Sequence, residues 1–232
     1  MSATVDIDVF RDYFENAVVE KVSGREWGVD ILYLKEPPLD PHVALVDIVL
    51  QIHLTEQSGD ILVFVSGVKE ILKVIRGVQK ALSGDNPSFS KDVIGPLDCY
   101  PLYSQLPAHK QAKAIDSVAP GGYKDMLGRK LLVATNIAET SMTLVSVTHV
   151  IDSCRAKVKI WDPRTESWTL QDMWTSKAVA SQRSGRAGRT KKGKCYRTVT
   201  KEGLHSQLTD HSVPVMHKTD MVSECLEILA WD

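Results

Sequence analysis

The sequence predicts an α/β fold, a parallel sheet covered by helices, and three features carry that expectation. Short β-branched runs recur at residues 29–34, 61–65, 130–135, 147–152 and 194–199. The gaps between most of them are long enough for helices. The run Ile61-Leu62-Val63-Phe64-Val65 is continuously apolar and feeds a helical pattern, as a parallel strand buried on both faces does.

Each element has a local cause. Asp40-Pro41 supplies an N-cap and a first-turn proline, and Val43, Val46, Val49, Leu50 and His53 follow at helical spacing. A helix is therefore expected over 41–56. Ser66-Gly67 turns the chain into a second helix, in which Ile71, Leu72, Ile75, Val78 and Leu82 repeat every three or four residues. Residues 83–90 form a polar loop. Residues 100–103 end a strand, and Pro107 opens a helix over 107–118 that Pro120-Gly121-Gly122 breaks. The segments 158–161 and 168–170 flank Asp162-Pro163-Arg164-Thr165, which reads as a β-hairpin. A helix over 219–230 comes last.

With 43% hydrophobic and 25% charged residues in 232, the chain fills one core or two small ones, and disorder is excluded. Lys and Arg number 28 against 29 Asp and Glu, so no whole-molecule field attracts nucleic acid and any such site is local. Cys99, Cys154, Cys195 and Cys225 form no CxxC pair, which argues against a zinc ribbon and gives no disulfide framework. A reducing compartment fits best. No apolar run reaches membrane-span length and the N-terminus is unlike a secretory signal, so a nuclear or cytoplasmic protein without membrane contact is expected.

Residues 155–201 hold thirteen Lys and Arg against three acids, a local excess suited to polyanions. At its centre stands Gln182-Arg183-Ser184-Gly185-Arg186-Ala187-Gly188-Arg189. Arg186 and Arg189 are three apart and are expected to share a helical face, where two guanidiniums converge on one anion. Gly185 and Gly188 remove side chains that would hold a neighbouring domain or phosphate away, as an arginine finger requires. Alone, the stretch favours a solvated basic helix end. A second cluster, Thr135-Asn136-Ile137-Ala138-Glu139-Thr140-Ser141-Met142-Thr143, follows an apolar strand, where ligands collect in open α/β sheets. A capped loop reads the same way. The third, Tyr103-Ser104-Gln105-Leu106-Pro107, is equally a helix N-terminus.

In this order the clusters closely resemble the second RecA-like domain of DEAH-box RNA helicases, a branch of superfamily 2, over essentially the whole chain. Ser2-Ala3-Thr4 resembles the SAT motif, residues 61–67 motif IV and residues 102–107 the LYxxLP stretch. Residues 135–143 resemble motif V, TNIAETS, and residues 182–189 match motif VI, QRxGRAGR. The resemblance implies a RecA-like, P-loop NTPase-type sheet over 1–204, with hairpin 158–170 in the place of the strand-separating hairpin. Residues 205–232 would be an incomplete start of a winged-helix domain.

The same resemblance implies roles. Arg186 and Arg189 are fingers on the γ-phosphate of ATP, with Gln182 orienting the nucleotide or attacking water and Gly185 in the same loop. Arg183 supports the structure. Ser141 and Thr143 meet the nucleotide, and Thr135, Asn136, Ser104 and Ser66 grip the RNA backbone. No phosphate loop GxxxxGK[ST] and no DEAH sequence occurs, so ATP and Mg²⁺ fall mainly to a first RecA-like domain of a longer protein. This chain alone is expected to be inactive. RNA and that first domain are the implied partners, and a G-patch-type activator is compatible. Three positions depart from the pattern: Asp116 replaces a base-stacking aromatic, Val145 a ribose-side aspartate, and Ser153-Cys154 a Pro-Gly pair.

Two other classes compete. A stand-alone RNA-binding or scaffold module derived from a helicase is favoured by Asp116 and Val145. An unrelated doubly wound nucleotide enzyme needs a glycine-rich turn after the first strand, and none is present. His211 and His217 lack accompanying ligands and read as surface or packing residues. Trp161, Trp168 and Trp174 read as the filling of a packed hairpin face, with base stacking as the other use of such rings.

Overall fold

The computed structural model describes residues 11–14, 18, 20, 27–83, 95–120, 128–140, 142 and 144–231. Among them, six strands form one parallel sheet: β1 (Val29–Tyr33), β2 (Asp60–Phe64), β3 (Leu97–Leu102), β4 (Arg129–Ala134), β5 (Val147–Asp152) and β8 (Gly193–Arg197). Their order is β1-β8-β5-β2-β4-β3. Helices α1 (Pro41–Thr55), α2 (Val68–Ser83), α3 (Ala108–Asp116), the short α4 (Ile137–Thr140), α5 (Lys177–Ser184) and α6 (Lys201–Gln207) connect or follow these strands. β6 (Arg155–Asp162) and β7 (Ser167–Trp174) pair as an antiparallel hairpin. A 3-10 turn, Val215–Lys218, and α7 (Val222–Leu229) end the described chain. None of the described helices is long and apolar enough to cross a membrane.

The expected continuous burial of β2 holds, and alternation explains it. Ile61, Val63 and Val65 pack with α1 and α2, whereas Leu62 and Phe64 face Ala114 of α3 and Ala138 of α4. On β4, Leu131 and Val133 face one way and Leu132 and Ala134 the other. Both faces of the sheet's centre are thus dry, as parallel pairing requires, while the edge strand β1 leaves Ile31 and Leu32 exposed. A third cluster joins Cys154, Ala180, Val199, Leu204 and Leu208, so α6 packs on the same body.

Asp40 caps α1 as expected, its Oδ1 accepting from the backbone N–H of His42 at 2.8 Å and Val43 at 3.4 Å. The buried stripe differs from the expectation: Leu45 and Ile52 are buried, while Val43 is exposed. α1 is apolar nearly all round, so periodicity alone does not choose its inner face. Packing chooses it. Val46 fills the space beside Gly77 of α2, where an added Cβ would lie 2.8 Å from Val46 Cγ2.

Candidate functional site

Parallel strands deliver all their following loops to one rim. There Val65 N–H donates to the Ala134 carbonyl at 2.9 Å and Thr135 N–H to Leu102 at 3.1 Å. Ser153 N–H donates to Phe64 at 3.2 Å and Thr198 N–H to Asp152 at 3.0 Å. Ser66, Ser104, Thr135 and Asn136 therefore lie along one edge. Ser104 and Asn136 are exposed and Thr135 is half-buried. Gln111 Nε2 donates to the Leu106 carbonyl at 2.7 Å and pins the 103–106 turn to α3. Ser66 is buried, and its hydroxyl donates to Asp172 Oδ2 of the hairpin at 2.9 Å.

The basic segment departs from the expected helix. α5, capped by Ser176 Oγ on the Val179 N–H, ends at Ser184. Gln182 lies on it, half-buried, but residues 185–188 are turns, with Arg186 N–H bonded to the Arg183 carbonyl and Ala187 N–H to Ser184, each at 3.1 Å. Bonds of this i→i−3 type wind more tightly than an α-helix and place side chains three apart in line. Arg189 lies past these turns in a bend, near enough for its charge to act on Arg186. Arg186 is only 6% exposed, and its Nη1 donates to the Met142 carbonyl at 2.8 Å. Burial, then the charge of nearby Arg189, lowers its pKa to about 10, so it stays cationic at neutral pH. Arg189 is exposed.

The two glycines do different work, which corrects the shared role expected for them. A Cβ on Gly188 would lie 2.5 Å from the Trp27 carbonyl oxygen and 2.7 Å from Val29 Cγ2, so this glycine serves internal packing. Gly185 is exposed, adopts φ −61° and ψ −12°, and has no atom nearer its would-be Cβ than 3.5 Å. Nothing in the described chain demands glycine there.

Arg183 is the structural member of the segment. Its Nη1 donates to Asp152 Oδ1 at 2.8 Å, its Nε and Nη2 to Glu139 Oε1 at 2.9 and 2.7 Å, and its guanidinium lies 4.9 Å from the Phe64 ring centre. Burial alone would depress its pKa, but Asp152 and Glu139 together hold it above the ordinary arginine value. Burial raises the Glu139 carboxyl, with the Arg183 charge working against that rise. Nη1 also donates to the Arg155 carbonyl at 3.2 Å, which ties α5 to the root of the hairpin.

Three bonds clamp the loop after β4 to the basic segment: Arg183 to Glu139, Arg186 to the Met142 carbonyl, and Thr190 Oγ1 to the Val145 carbonyl at 3.0 Å. Sequence reasoning missed these partners. Glu139 carried a signal, being an acid inside the hydroxyl-rich cluster, but a backbone carbonyl carries none. Ser141 and Thr143 lie outside the described residues, as does Ser2-Ala3-Thr4. Among the described residues no group of three or more His, Cys, Asp or Glu is placed to hold a metal ion.

The model of the family described as helicase conserved C-terminal domain matches residues 44–191. The chain is 32% identical to the Escherichia coli DEAH/RHA helicase HrpB, with a TM-score of 0.81 over 100% of this chain and 27% of that one. A second structure, of the E. coli DExH-box NTPase HrpB, gives 31% identity and a TM-score of 0.74 over 90% of this chain and 24% of that one. This chain spans about a quarter of the length of both.

Proposed function

The chain belongs to the helicase conserved C-terminal domain family as the second RecA-like domain of a superfamily 2 helicase, and on that premise we propose that it is the C-terminal helicase half of an ATP-dependent DEAH-box RNA helicase. ATP and Mg²⁺ are held mainly by a first RecA-like domain. Arg186 and Arg189 extend to the γ-phosphate and stabilise the charge that develops as the phosphoryl group is transferred, with Gln182 orienting the nucleotide or water. Ser141 and Thr143 contact the nucleotide. Gly185, which the fold itself does not require, leaves room for its approach.

One observation supports this most: a buried Arg186, fixed by the Met142 carbonyl, stands beside an exposed Arg189. A solvated basic helix end would not bury and bond Arg186. Fixing one guanidinium before the nucleotide arrives removes reorganisation from the reaction step. Thr135, Asn136, Ser104 and Ser66 are read as the RNA grip along the rim, through backbone contacts that do not depend on sequence. Residues 205–232 are read as the start of a winged-helix domain, and a G-patch-type activator remains compatible.

The experiment is RNA-stimulated phosphate release by the full-length protein. Arg186→Ala and Arg189→Ala are each expected to lower the rate by about 10³–10⁵-fold, the usual weight of an arginine finger. A rate unchanged in both variants overturns the reading.

A further inference from the structure

A cavity of about 560 Å³ opens at the end of the sheet opposite the rim. Its walls come from the places where strands begin: Asp30 of β1, Thr148 and His149 of β5 and Lys194 of β8 each lie within the first three residues of their strand. Lys191 and Lys192 lead into β8, and residues 55–58 carry the chain from the end of α1 toward β2. The volume is that of a small-ligand site. No Phe, Tyr, Trp or large aliphatic side chain lines it.

Charge in this corner does not cancel. Lys192 pairs with Asp30 at 3.0 Å, and Lys194 donates to both carboxylate oxygens of Glu56 at 2.7 and 2.8 Å. Tyr196 Oη donates to the same Glu56 at 2.8 Å, so both acids on the walls are engaged. Among the described residues two neighbouring cations are bonded to carbonyls and not to a carboxylate. Lys191 Nζ donates to the Ser58 carbonyl at 2.6 Å, and the buried Arg129 donates to the carbonyls of Glu56 and, at 2.9 Å, of Gly59. These bonds also cover the carbonyls just past the C-terminus of α1, whose negative dipole end would otherwise repel an anion. His149 registers the resulting field: burial first, then the charges of Arg129, Lys194 and Lys191, lower its pKa to about 4 against Glu56 alone. An ammonium has three donors, and the bonds just named engage one on Lys191, one on Lys192 and two on Lys194. Each lysine therefore keeps an N–H for a ligand.

We propose that this cavity binds a small oligophosphate, an anion of adjacent phosphoryl groups, through Lys191, Lys192 and Lys194. Ammonium donors form short charge-assisted bonds to phosphoryl oxygens, and three of them favour several phosphoryl groups over one. Gln57 and Ser58, both exposed, add uncharged donors on the same wall. Nothing on the walls stacks on a base or packs against a sugar, so the chemistry recognised is the phosphate and not a nucleoside. The site is independent of the proposed RNA grip, which lies at the other ends of the strands.

The test is calorimetric titration of this chain with inorganic tripolyphosphate, in the wild type and in an Arg186→Ala/Arg189→Ala background that removes the finger loop as a competing anion site. Binding is expected in both. Lys191→Gln/Lys192→Gln should weaken it about tenfold, the combined weight of two solvated charge contacts, and both side chains are exposed, so the fold is not at stake. On addition of tripolyphosphate the amide resonances of Ser58 and Gly193 should shift, and that of Ser104 at the rim should not. In the arginine-free background ATP should bind no tighter than tripolyphosphate. Equal affinity in the lysine variant and the wild type overturns the proposal. Binding lost in the arginine variant and kept in the lysine variant also overturns it, while leaving the finger loop of the proposed function standing as an anion site. ATP held tenfold more tightly than tripolyphosphate in the arginine-free background reveals a nucleoside contact and overturns recognition by phosphate alone.

Discussion

Arg183 and Asp152 meet at 2.8 Å with both side chains wholly buried, an ion pair across 31 residues of sequence that locks α5 to the end of β5. Two further hydrogen bonds to Glu139 and one to the Arg155 carbonyl satisfy the remaining donors that point inward. Taking such charges out of water is costly, and four guanidinium hydrogen bonds offset that cost, although Asp152 Oδ2 is buried with no hydrogen-bond partner among the described residues. Arg183→Ala leaves Asp152 charged, buried and unpaired and is expected to destabilise the domain by about 3–5 kcal/mol. Urea unfolding of this chain measures it, and a change below the uncertainty of the extrapolation would count against a structural role.

The two glycines of the basic segment are expected to separate fold from function. Gly188→Ala forces a methyl against the Trp27 carbonyl and should lower stability by about 1–3 kcal/mol. Gly185→Ala meets no atom closer than 3.5 Å, in a backbone conformation open to any residue, and should leave Tm unchanged. The same Gly185→Ala change should still depress ATP turnover in the full-length protein. Normal turnover there would remove the ligand-side reason for this glycine.

Acid should weaken the domain through His149. This ring is buried, 3.0 Å from Thr148 Oγ1 through Nδ1, and burial first, then the Arg129 charge, lowers its pKa from 6.5 to about 4. Glu56, 3.8 Å away, works in the opposite direction. Between those values the unfolded chain binds the extra proton, so stability is full above about pH 6.5 and is lost as pH falls toward about 4. The loss amounts to about 3 kcal/mol. Denaturation at a series of pH values should show the decline, and His149→Gln should flatten it.

The hairpin root should loosen when Asp172 is removed. Its carboxylate accepts from Ser66 Oγ and from Arg155 Nε, each at 2.9 Å. With Arg155 and Asp172 both partly exposed, the combined contribution is about 1 kcal/mol. Asp172→Ala should therefore speed tryptic cleavage at Arg164 in the hairpin turn, whereas Thr165→Ala at the tip should not change it. Equal cleavage rates would show that the root is held elsewhere.

The sheet was legible because β-branched runs, an N-cap with its proline, and hairpin turn chemistry are all local signals. Strands β2, β4, β5 and β8 fall within a residue or two of expectation, and the hairpin pairs about its proline-containing turn. The site was legible by residue type and less so by geometry. A three-residue spacing reads as an α-helix, yet Gly185 caps α5, Arg186 sits on a tighter turn and Arg189 in the bend that follows. Ser66 reads as an open hydroxyl, but its acceptor, Asp172, lies 106 residues away on another element. Cys154 marks the same limit from the other side. It occupies φ +54°, the left-handed region that favours glycine, where the family pattern has Pro-Gly.

Arg186 and Thr190 hold the opposing loop by the carbonyl oxygens of Met142 and Val145. Every amino acid offers that same oxygen, so the trajectory of this loop is decoupled from the chemistry of its side groups. The clamp can stay fixed whatever side chain stands at these two positions, one of which, Val145, is exposed.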